Sequence, residues 1–453
     1  SATLRATSFR LLLAIAANKG DKLYHIDVRN AFTQATIDKD IWAHGPEGYT
    51  PKDKHGRPML IKLKRALYGA KQSGRLWQEA LRKALSELGF TPSQADPCLL
   101  YLDTPKGIIR LGCYVDDLVF SASTEHIKTW FVTEFQKRFS TTPCTDLSWF
   151  LGIAVDQLPD GKVTICQSKY ITDTADKFLP NWRSINIRRK SPYIGTAADF
   201  NKMEGAKTDE ERATMEGIPY MQLIGSLLWI AVMSRPDVSY ALSVLCMFMS
   251  NPSMRAYEAA QHVLLYLAGS AEQRITYSPG YIRPTWKSIE ETQTYSGPEN
   301  IGFHAYSDSS WGDAEPRFGY VLYCSNGPIA WTSKALKSAS SSCEAEYSAS
   351  HWCAREIYFN RCCMEDLGID LQGPILLLTD NSASIDVANN LGATANTKHY
   401  ERCIHWIRLQ QQDKQIDMLH CDTEVMDADI FTKPFTAPLF IGLANQLFRN
   451  PAA

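Results

Sequence analysis

The amino-acid sequence predicts an α+β protein with several domains, and three stretches carry that prediction. Residues 1–140 alternate short strand patterns with helical stretches, which is typical of an antiparallel sheet that carries helices. Residues 220–267 have helical periodicity, and residues 301–380 return to strands interrupted by one long helix. A chain of 453 residues is long enough for two to four domains with sizeable cores.

The most informative local pattern is a predicted β-hairpin with two adjacent carboxylates at its tip. An apolar run over 108–115 leads into Asp116 and Asp117, and a second apolar run follows at Leu118–Phe120. Two neighbouring carboxylates repel each other, so the pair makes chemical sense when a divalent cation lies between them. Asp27 ends another strand-like run, and that strand laid beside the hairpin would add a third carboxylate. Such a trio can hold two Mg²⁺ ions for phosphoryl transfer, whereas an isolated Asp-Asp pair is more often a solvated turn.

A helix and a second hairpin flank the acidic hairpin in the sequence. Leu76–Leu88 has an apolar stripe at helical spacing, which predicts a helix that faces the core. Residues 147–170 predict a hairpin whose strands are Trp149–Val155 and Lys162–Cys166, with the turn at 159–161.

The middle of the chain predicts a loop, two helices and a tether. Residues 181–215 are rich in Pro, Arg, Lys and Gly, which indicates a mobile loop. The helical pattern of 220–267 breaks near Ser234–Asp237, where one helix stops and another starts. Residues 270–300 lack periodicity and contain several Pro and Gly residues, so we place an interdomain tether there.

The last third of the chain predicts a mixed sheet with helices. Residues 301–331 contain three strand patterns, Cys343–Leu367 is a long helix, and Ile375–Leu378 is a strand that leads to Asp380.

Composition and charge limit the class of protein. Hydrophobic residues make up 45% of the chain, yet no stretch is long and apolar enough to span a bilayer. Leu11–Ala17 is too short for a signal sequence and is interpreted as a buried helix. The 12 cysteines have no metal-ligand spacing, which indicates a reducing, intracellular compartment and no zinc. Residues 301–436 carry a net charge of −8, and the rest of the chain carries +6. This asymmetry weakly supports a basic module that binds a nucleic-acid strand, joined to an acidic, metal-dependent module.

A series of short motifs runs in a fixed order along nearly the whole chain. The motifs are Asp27-Val28, Ala31-Phe32, Leu67–Ser73, Tyr114–Asp117, Phe150–Ile153, Gln167–Ile171, Gly225–Leu227, Arg235–Ser239, Ser333-Lys334, Glu344–Tyr347, Asp380–Ala383, Thr397–His399 and Ala428–Pro434. This series resembles the reverse transcriptase and RNase H portion of the Pol polyprotein of copia-type LTR retrotransposons. The resemblance implies a reverse-transcriptase palm and thumb followed by an RNase H-like α/β domain.

For the polymerase, the resemblance implies that Asp27, Asp116 and Asp117 are the metal carboxylates. It further implies that Phe32 lies under the sugar and excludes a 2′-hydroxyl, although Phe32 also fits a packing role. The implied nucleotide- and template-binding residues are Phe32, Gly69, Lys71, Gln72, Ser73, Arg75 and Tyr114, and the implied primer grip is Phe150, Leu151 and Gly152.

Two features of the nucleotide-binding region are open. The basic residues around the loop could contact phosphate or form a solvated face, with equal weight; they are Lys62, Lys64, Arg65, Lys71 and Arg75. Gly74 stands where the family usually has Pro and Ala70 where it usually has Leu, and Gly74 is expected to loosen the backbone of the pocket.

For the nuclease, the resemblance implies four metal carboxylates, Asp308, Glu346, Asp380 and Asp429. Glu344 competes with Glu346 for the glutamate position, and we prefer Glu346 because the family's Glu-Tyr pair follows a small residue, as Glu346-Tyr347 follows Ala345 here. Three histidines are candidates for proton shuttling, although a structural role is the simpler interpretation for each; they are His399, His405 and His420.

The resemblance also implies a domain order. It assigns palm and partial fingers to 1–158, a mainly helical thumb and connection to 159–275, a tether to 276–300, an RNase H-like domain to 301–436 and a C-terminal tail to 437–453.

The implied function is an RNA-directed DNA polymerase with RNase H activity. We expect two Mg²⁺ ions at each site, with Mn²⁺ as a substitute, and the partners are template–primer, RNA/DNA hybrid and dNTPs. We expect no membrane association and an intracellular location, in a cytoplasmic virus-like particle or the nucleus, and a homodimer or larger complex stays open.

A second function stays open on the sequence. Only 26 residues precede Asp27, where copia-type enzymes carry a longer fingers region, so we expect poor primer extension by this chain alone. This feature and Gly74 favour the alternative of a truncated or domesticated copy that binds nucleic acid or acts as a scaffold, with at most RNase H activity.

Overall fold

The computed structural model describes residues 3–185, 189–195, 199–200, 202–280, 301–311, 315–336, 341–389 and 401–449. The chain divides into two units by its internal contacts. The first unit comprises Ser1–Leu12, Asp21–Leu147 and Cys362–Gly368, and the second comprises Leu13–Gly20, Ser148–Arg361 and Ile369–Ala453. Helices and sheets are mixed in both units, so the predicted α+β class is confirmed.

The first unit is built on an antiparallel sheet. Its helices are α1 (Ala6–Lys19, which continues into the second unit), α2 (Ala31–Gln34), α3 (Ser73–Glu87) and α4 (Glu125–Gln136). Its strands are β1 (Lys22–Asp27), β2 (Trp42–His44), β3 (Leu60–Lys62), β4 (Thr91–Pro92), β5 (Leu99–Thr104), β6 (Gly107–Tyr114), β7 (Asp117–Ala122) and β8 (Thr145–Asp146). Six of them form one sheet in the order β4-β5-β6-β7-β1-β8, and β2 and β3 form a separate ribbon.

Two helices cover this sheet with apolar stripes. On α3 the buried residues Trp77, Leu81 and Leu85 recur at every fourth position, which confirms the helix predicted from their spacing. On α4 the buried residues Ile127 and Phe131 recur in the same way, and all five join the core of the strands.

Helix α1 is apolar because it is buried. Every residue of Leu11–Ala17 is at most 1% exposed, so the prediction of a buried helix is confirmed. Among the described residues, no helix combines the length and the apolar character that crossing a membrane requires.

The second unit begins with a small sheet and a group of helices. The strands are β9 (Trp149–Phe150), β10 (Ile153–Gln157), β11 (Val163–Cys166) and β12 (Ile275–Tyr277), and the helices are α5 (Ser168–Phe178), α6 (Asp209–Thr214), α7 (Tyr220–Met233), α8 (Ser239–Leu245) and α9 (Met254–Gly269). The strand order is β12-β11-β10-β9, and the pairing is antiparallel.

Two predictions in this region are wrong in detail. The predicted strand Trp149–Val155 is two strands, because Leu151 and Gly152 turn the chain with φ angles of 50° and 82°. The predicted second helix of 220–267 is also two helices, α8 and α9, since Pro252 lies between them and lacks the amide hydrogen that a continuous helix needs. Residues 281–300 of the predicted tether, and parts of the predicted loop at 181–215, lie outside the described residues.

The rest of the second unit is a mixed sheet with helices. The strands are β13 (His304–Ser310), β14 (Arg317–Cys324), β15 (Gly327–Ala335), β16 (Ile375–Thr379) and β17 (Ile416–His420), and the helices are α10 (Ser342–Asp366, which from Cys362 onwards belongs to the first unit), α11 (Ser382–Asn389), α12 (Glu401–Gln412) and α13 (Ala437–Leu447). The sheet order is β15-β14-β13-β16-β17, with β16 and β17 parallel to β13. The three strands predicted within 301–331, the long helix and the strand before Asp380 are confirmed.

One hydrophobic core runs through the helices and the mixed sheet of the second unit. It joins Leu227 of α7 and Leu264 of α9 with Val321 of β14 and Leu378 of β16. Helix α13 belongs to the same core through buried Phe440, so Ala437–Leu447 packs against the body of the unit.

Two candidate carboxylate sites

The first site is built by strand pairing in the first unit. Tyr114 pairs with Asp117, so Val115 and Asp116 form the two-residue tip of the β6–β7 hairpin. Asp27 is the partner of Asp117 across β1 and β7. The sheet register therefore brings Asp27, Asp116 and Asp117 to one edge, where all three are half-buried.

The hairpin tip is held in an uncommon conformation. Val115 has a φ of 56°, which is an outlier for a β-branched residue. Its carbonyl accepts a 2.7 Å hydrogen bond from Trp77 Nε1, and the Asp116 carbonyl accepts a 2.9 Å bond from the Val28 amide. Trp77 is 1% exposed, so its packing and its hydrogen bond together fix the tip. Trp77 was interpreted from the sequence only as a core residue.

The carboxylates at this edge of the sheet are close enough for their charges to interact. Burial raises the pKa of Asp27, and the charges of Asp117 and Asp116 raise it further. His25 Nε2 lies 2.8 Å from Asp117 Oδ1 and so orients that carboxylate. His25 is two residues before Asp27 on β1, so the alternation of the strand places both on one face, although sequence reasoning assigned no role to His25.

The loop predicted to support the nucleotide has a fixed bend. Gly69 has a φ of 93°, a conformation that favours glycine. Ser73 is buried, and its Oγ donates a 2.6 Å hydrogen bond to the Leu67 carbonyl across the bend. Gly74 lies in the first turn of α3, where the family's usual Pro is well tolerated, so the departure at Gly74 falls in a helix beside the bend.

Some of the predicted nucleotide-binding side chains around this loop contact other side chains of the protein. The Phe32 ring on α2 lies 4.5 Å from the ring of Tyr68. Arg75 forms ion pairs with Asp38 and Glu79. Of the remaining predicted residues here, Lys71 is exposed, and Gln72 and Tyr114 are half-buried.

The predicted primer grip is a tight hairpin in the second unit. Phe150 is 2% exposed, and Leu151 and Gly152 form the turn that leads to β10. The structure thus places these three residues together in one turn.

The second site is a close group of acids on the mixed sheet. Asp308 of β13, Glu346 of α10 and Asp380 after β16 offer donor atoms that all lie within 4.8 Å of one another. Within the described part of the chain, Asp27, Asp116 and Asp117 do not form such a group, and Glu344 is not a member.

Asp429 approaches the group on a 3₁₀ turn, Asp427–Phe431. This turn crosses β14 at Gly319, where an added Cβ would lie only 2.4 Å from the Phe431 Cβ. Thr432 Oγ1, directly after the turn, donates a hydrogen bond to Asp308, while Lys433 Nζ lies 2.7 Å from Asp429 Oδ1.

Burial dominates the electrostatics of the second site. Burial raises the pKa of Asp308 well above its usual range, and the neighbouring Glu346 adds to the effect. Burial also raises the pKa of Glu346 to about 7, opposed by Ser309 and reinforced by Asp380. Oε2 of Glu346 is buried without a hydrogen-bond partner. An orphaned oxygen among crowded acids fits a bound divalent cation, since carboxylate oxygens are the ligands that Mg²⁺ prefers.

Several other residues near the second site were not predicted from the sequence, and the role of the candidate histidines stays open. Thr423 Oγ1 donates a 2.9 Å hydrogen bond to Asp380, a contact between residues 43 apart that no sequence pattern announces. His420 is the β-partner of Thr379, next to Asp380, while His405 is exposed on α12. His399 lies outside the described residues. Lys433 lies in the motif Ala428–Pro434, but the sequence alone predicts no role for it.

Residues 1–183 match the family described as "Reverse transcriptase (RNA-dependent DNA polymerase)". The chain is 30% identical over 453 residues to the retrovirus-related Pol polyprotein from transposon RE1 of Arabidopsis thaliana, covering 99% of this chain and 29% of that protein. It is 27% identical over 440 residues to the Pol polyprotein from transposon TNT 1-94 of Nicotiana tabacum, covering 96% and 31%.

Residues 1–183 therefore belong to the reverse transcriptase family, and the chain as a whole is similar to copia-type retrotransposon Pol polyproteins, of whose length it spans about a third or less. A solved foamy viral protease–reverse transcriptase in complex with double-stranded DNA aligns at a TM-score of 0.46 and 11% identity, over 93% of this chain and 60% of that chain.

Proposed function

We propose that this chain is an RNA-directed DNA polymerase with RNase H activity and that each group of acids holds divalent cations. The observation that carries the nuclease half is the convergence of Asp308, Glu346 and Asp380 within 4.8 Å. The polymerase half is supported by the pairing of Asp27 with Asp117 beside the hairpin tip. Bound Mg²⁺ would activate the attacking hydroxyl or water and neutralise charge that develops on the phosphate.

In the proposed polymerase, the chain's own residues position the reactants. Asp27, Asp116 and Asp117 would hold the cations, with His25 orienting Asp117 and Trp77 fixing the tip. The substrates are template–primer and dNTPs. Phe32, whose ring is tilted against that of Tyr68, would close the sugar side of the pocket and reject a 2′-hydroxyl. The residues that would contact template and nucleotide are Gly69, Lys71, Gln72, Ser73, Arg75 and Tyr114, and those that would contact the primer are Phe150, Leu151 and Gly152.

In the proposed nuclease, Asp308, Glu346, Asp380 and Asp429 act on the RNA strand of an RNA/DNA hybrid. Thr432 orients Asp308, and Thr423 orients Asp380, so each carboxylate keeps one oxygen for a cation. The domain order given by the sequence, with palm at 1–158, thumb and connection at 159–275 and RNase H at 301–436, is part of the same proposal.

The experiment separates the two activities in one chain. The 453-residue protein is assayed with Mg²⁺ for primer extension and for cleavage of RNA in a hybrid. Asp116→Asn should abolish extension and leave cleavage intact, whereas Asp380→Asn should do the reverse, because each change removes one proposed cation ligand. Asp103→Asn and Asp386→Asn alter exposed acids elsewhere and serve as matched controls.

Either activity can refute its own half of the proposal. Undiminished cleavage by Asp380→Asn, or undiminished extension by Asp116→Asn, would remove that site. A chain that binds a hybrid but has neither activity would act as a nucleic-acid-binding scaffold.

A further inference from the structure

A cavity in the second unit lies apart from both groups of acids. Its volume is about 200 Å³, and its lining combines the segment Arg189–Lys190, the end of helix α9 and helix α13. A cavity of about 150 Å³ is large enough to hold a benzene ring. The cavity in this chain therefore has room for one six-membered ring and a small group attached to it.

One wall of the cavity is built by the motif Arg235–Ser239, for which the sequence alone predicts no role. Arg235 is 1% exposed, and its Nε and Nη2 donate hydrogen bonds of 3.0 and 2.7 Å to the two carboxylate oxygens of Asp237. Its Nη1 donates a 2.8 Å bond to the Ser270 carbonyl, and the Tyr266 hydroxyl donates a 2.6 Å bond to Asp237. The charge of Arg235 is thus balanced by Asp237, and the network fixes this wall without a ligand.

Two further cations line the cavity, and neither has an acid beside it there. Arg189 and Lys190 are adjacent in the chain, and no carboxylate is found among the described residues of the lining. Arg189 Nε is buried and, within the described part of the chain, has no hydrogen-bond partner. A buried donor without an acceptor destabilises the folded protein, so an anion that accepts from Arg189 would relieve that cost. Two cations side by side match a phosphomonoester, whose charge is roughly −1.5 to −2 at pH 7.

The rest of the lining suits a planar ring that carries polar groups. Phe440 and Phe448 are 1% and 3% exposed, and they give the cavity aromatic surface against which a nucleobase can pack. The side-chain amides of Gln273 and Asn445 also line the cavity, and each amide both donates and accepts hydrogen bonds. A purely apolar ring would leave these amides without partners, whereas the edge of a pyrimidine base offers both donors and acceptors.

We propose that this cavity binds a pyrimidine nucleotide, with the phosphate on Arg189 and Lys190 and the base against Phe440 and Phe448. The same chemistry comes from two sources, a free nucleoside monophosphate and the 5′-phosphorylated end of a nucleic-acid strand. The site is separate from the two groups of acids, because no carboxylate of either group lines it, and binding there needs no divalent cation. A ligand in the cavity contacts α13 and therefore stabilises that helix.

The test measures binding and does not depend on activity. Calorimetry follows the binding of cytidine 5′-monophosphate to the full chain in EDTA, which removes the divalent cations through which the acids could hold a nucleotide. Cytidine and inorganic phosphate should each bind at least tenfold more weakly, because each supplies only one part of the ligand. Arg189→Met and Lys190→Met should each weaken the binding of cytidine monophosphate at least tenfold. Lys202→Met alters an exposed lysine outside the cavity and should bind like the unaltered chain.

Two further measurements locate the ligand and identify its source. Cytidine monophosphate should slow hydrogen exchange of the α13 amides in the unaltered chain but not in Arg189→Met. A pyrimidine oligonucleotide, with and without a 5′-phosphate, is then used to displace cytidine monophosphate. Displacement that requires the 5′-phosphate assigns the site to a strand end, whereas no displacement by either form assigns it to the free nucleotide.

The proposal is overturned if cytidine monophosphate binds no more tightly than cytidine. It is also overturned if Arg189→Met and Lys190→Met bind the nucleotide as the unaltered chain does, since the phosphate would then lie elsewhere. If Arg189→Met does not fold by circular dichroism, Lys190→Met decides alone, because Lys190 is exposed and its replacement leaves the core intact.

Discussion

Replacing Arg449 by Met should loosen the turn that carries Asp429. Arg449 lies 3.2 Å from Asp427 Oδ2, and its guanidinium lies 4.2 Å from the ring centre of Tyr323. Asp427 is 2% exposed and belongs to the same 3₁₀ turn as Asp429. Removing one partner of a buried ion pair costs about 3–5 kcal/mol, and we expect about 3 kcal/mol because Arg449 is partly exposed. That value corresponds to about a 100-fold loss of protection against local opening.

The loss should depend on pH with a definite sign. Burial raises the pKa of Asp427, and Arg449 opposes that shift, so the pKa rises further without Arg449. A carboxyl whose pKa is higher in the folded state takes up a proton on folding. The contribution of Asp427 to the stability of the folded protein is therefore largest below the pKa of the unfolded state, about 3.9. It falls as the pH rises from that value to the pKa of the folded state, and it is constant at higher pH. Arg449→Met should accordingly lose more stability at pH 8 than at pH 5.5.

Hydrogen exchange of the α13 amides, followed by mass spectrometry at both pH values, measures this loss. The double variant Asp427→Asn/Arg449→Met should recover most of the protection, because a neutral amide needs no counter-charge. Arg402→Met, at an exposed position on α12, is the control. The reasoning would be refuted if the α13 amides of Arg449→Met exchanged as slowly as those of the wild type. It would also be refuted if they exchanged as fast in the double variant as in Arg449→Met.

Three further predictions concern the two sites. Trp77→Phe keeps an aromatic ring but removes the hydrogen bond to the Val115 carbonyl, which contributes about 1 kcal/mol. Primer extension should therefore fall several-fold, while hybrid cleavage is unchanged. Trp130→Phe is the control, and equal extension by the two variants would contradict this prediction. Gly319→Ala forces a Cβ to within 2.4 Å of Phe431, so hybrid cleavage should fall at least tenfold while extension is kept, and Gly442→Ala, which meets nothing within 4 Å, should cleave normally. Phe32→Val opens the sugar side of the proposed pocket, so the ratio of ribonucleotide to deoxyribonucleotide incorporation should rise, and an unchanged ratio would favour a packing role for Phe32.

Periodicity predicted the elements of this fold well where one face of a helix or strand is buried. The stripe of α3 follows directly from it, because burial of one face imposes the spacing, whereas β16 is buried along its whole length and was predicted from a continuous apolar run. The break at Leu151 did not, since a leucine with a positive φ has no sequence signature and the adjacent Gly152 alone is ambiguous.

The carboxylates proposed to bind metal were named from motifs, but the residues that orient them were not. Thr423, Thr432 and Lys433 act through contacts that arise only when the 3₁₀ turns meet the mixed sheet. His25 could have been identified from the sequence, because its position two residues before Asp27 places both side chains on one face of a strand. Which face that was could not be decided without the partner strand β7.

The two sites differ in what holds them in place without a cation. At the hairpin tip, backbone pairing and the bonds from Trp77 and Val28 fix the carboxylates, and the acids stay half-exposed. In the proposed nuclease site, Asp308 and Glu346 are buried, their pKa values are raised, and Glu346 Oε2 has no hydrogen-bond partner. Burying such groups destabilises the fold, and a bound cation that offsets this penalty would stabilise the folded unit in proportion to its affinity. In this proposal the stability of the nuclease site and its activity depend on the same cation, while the polymerase edge is arranged by the sheet and by the hydrogen bond from Trp77.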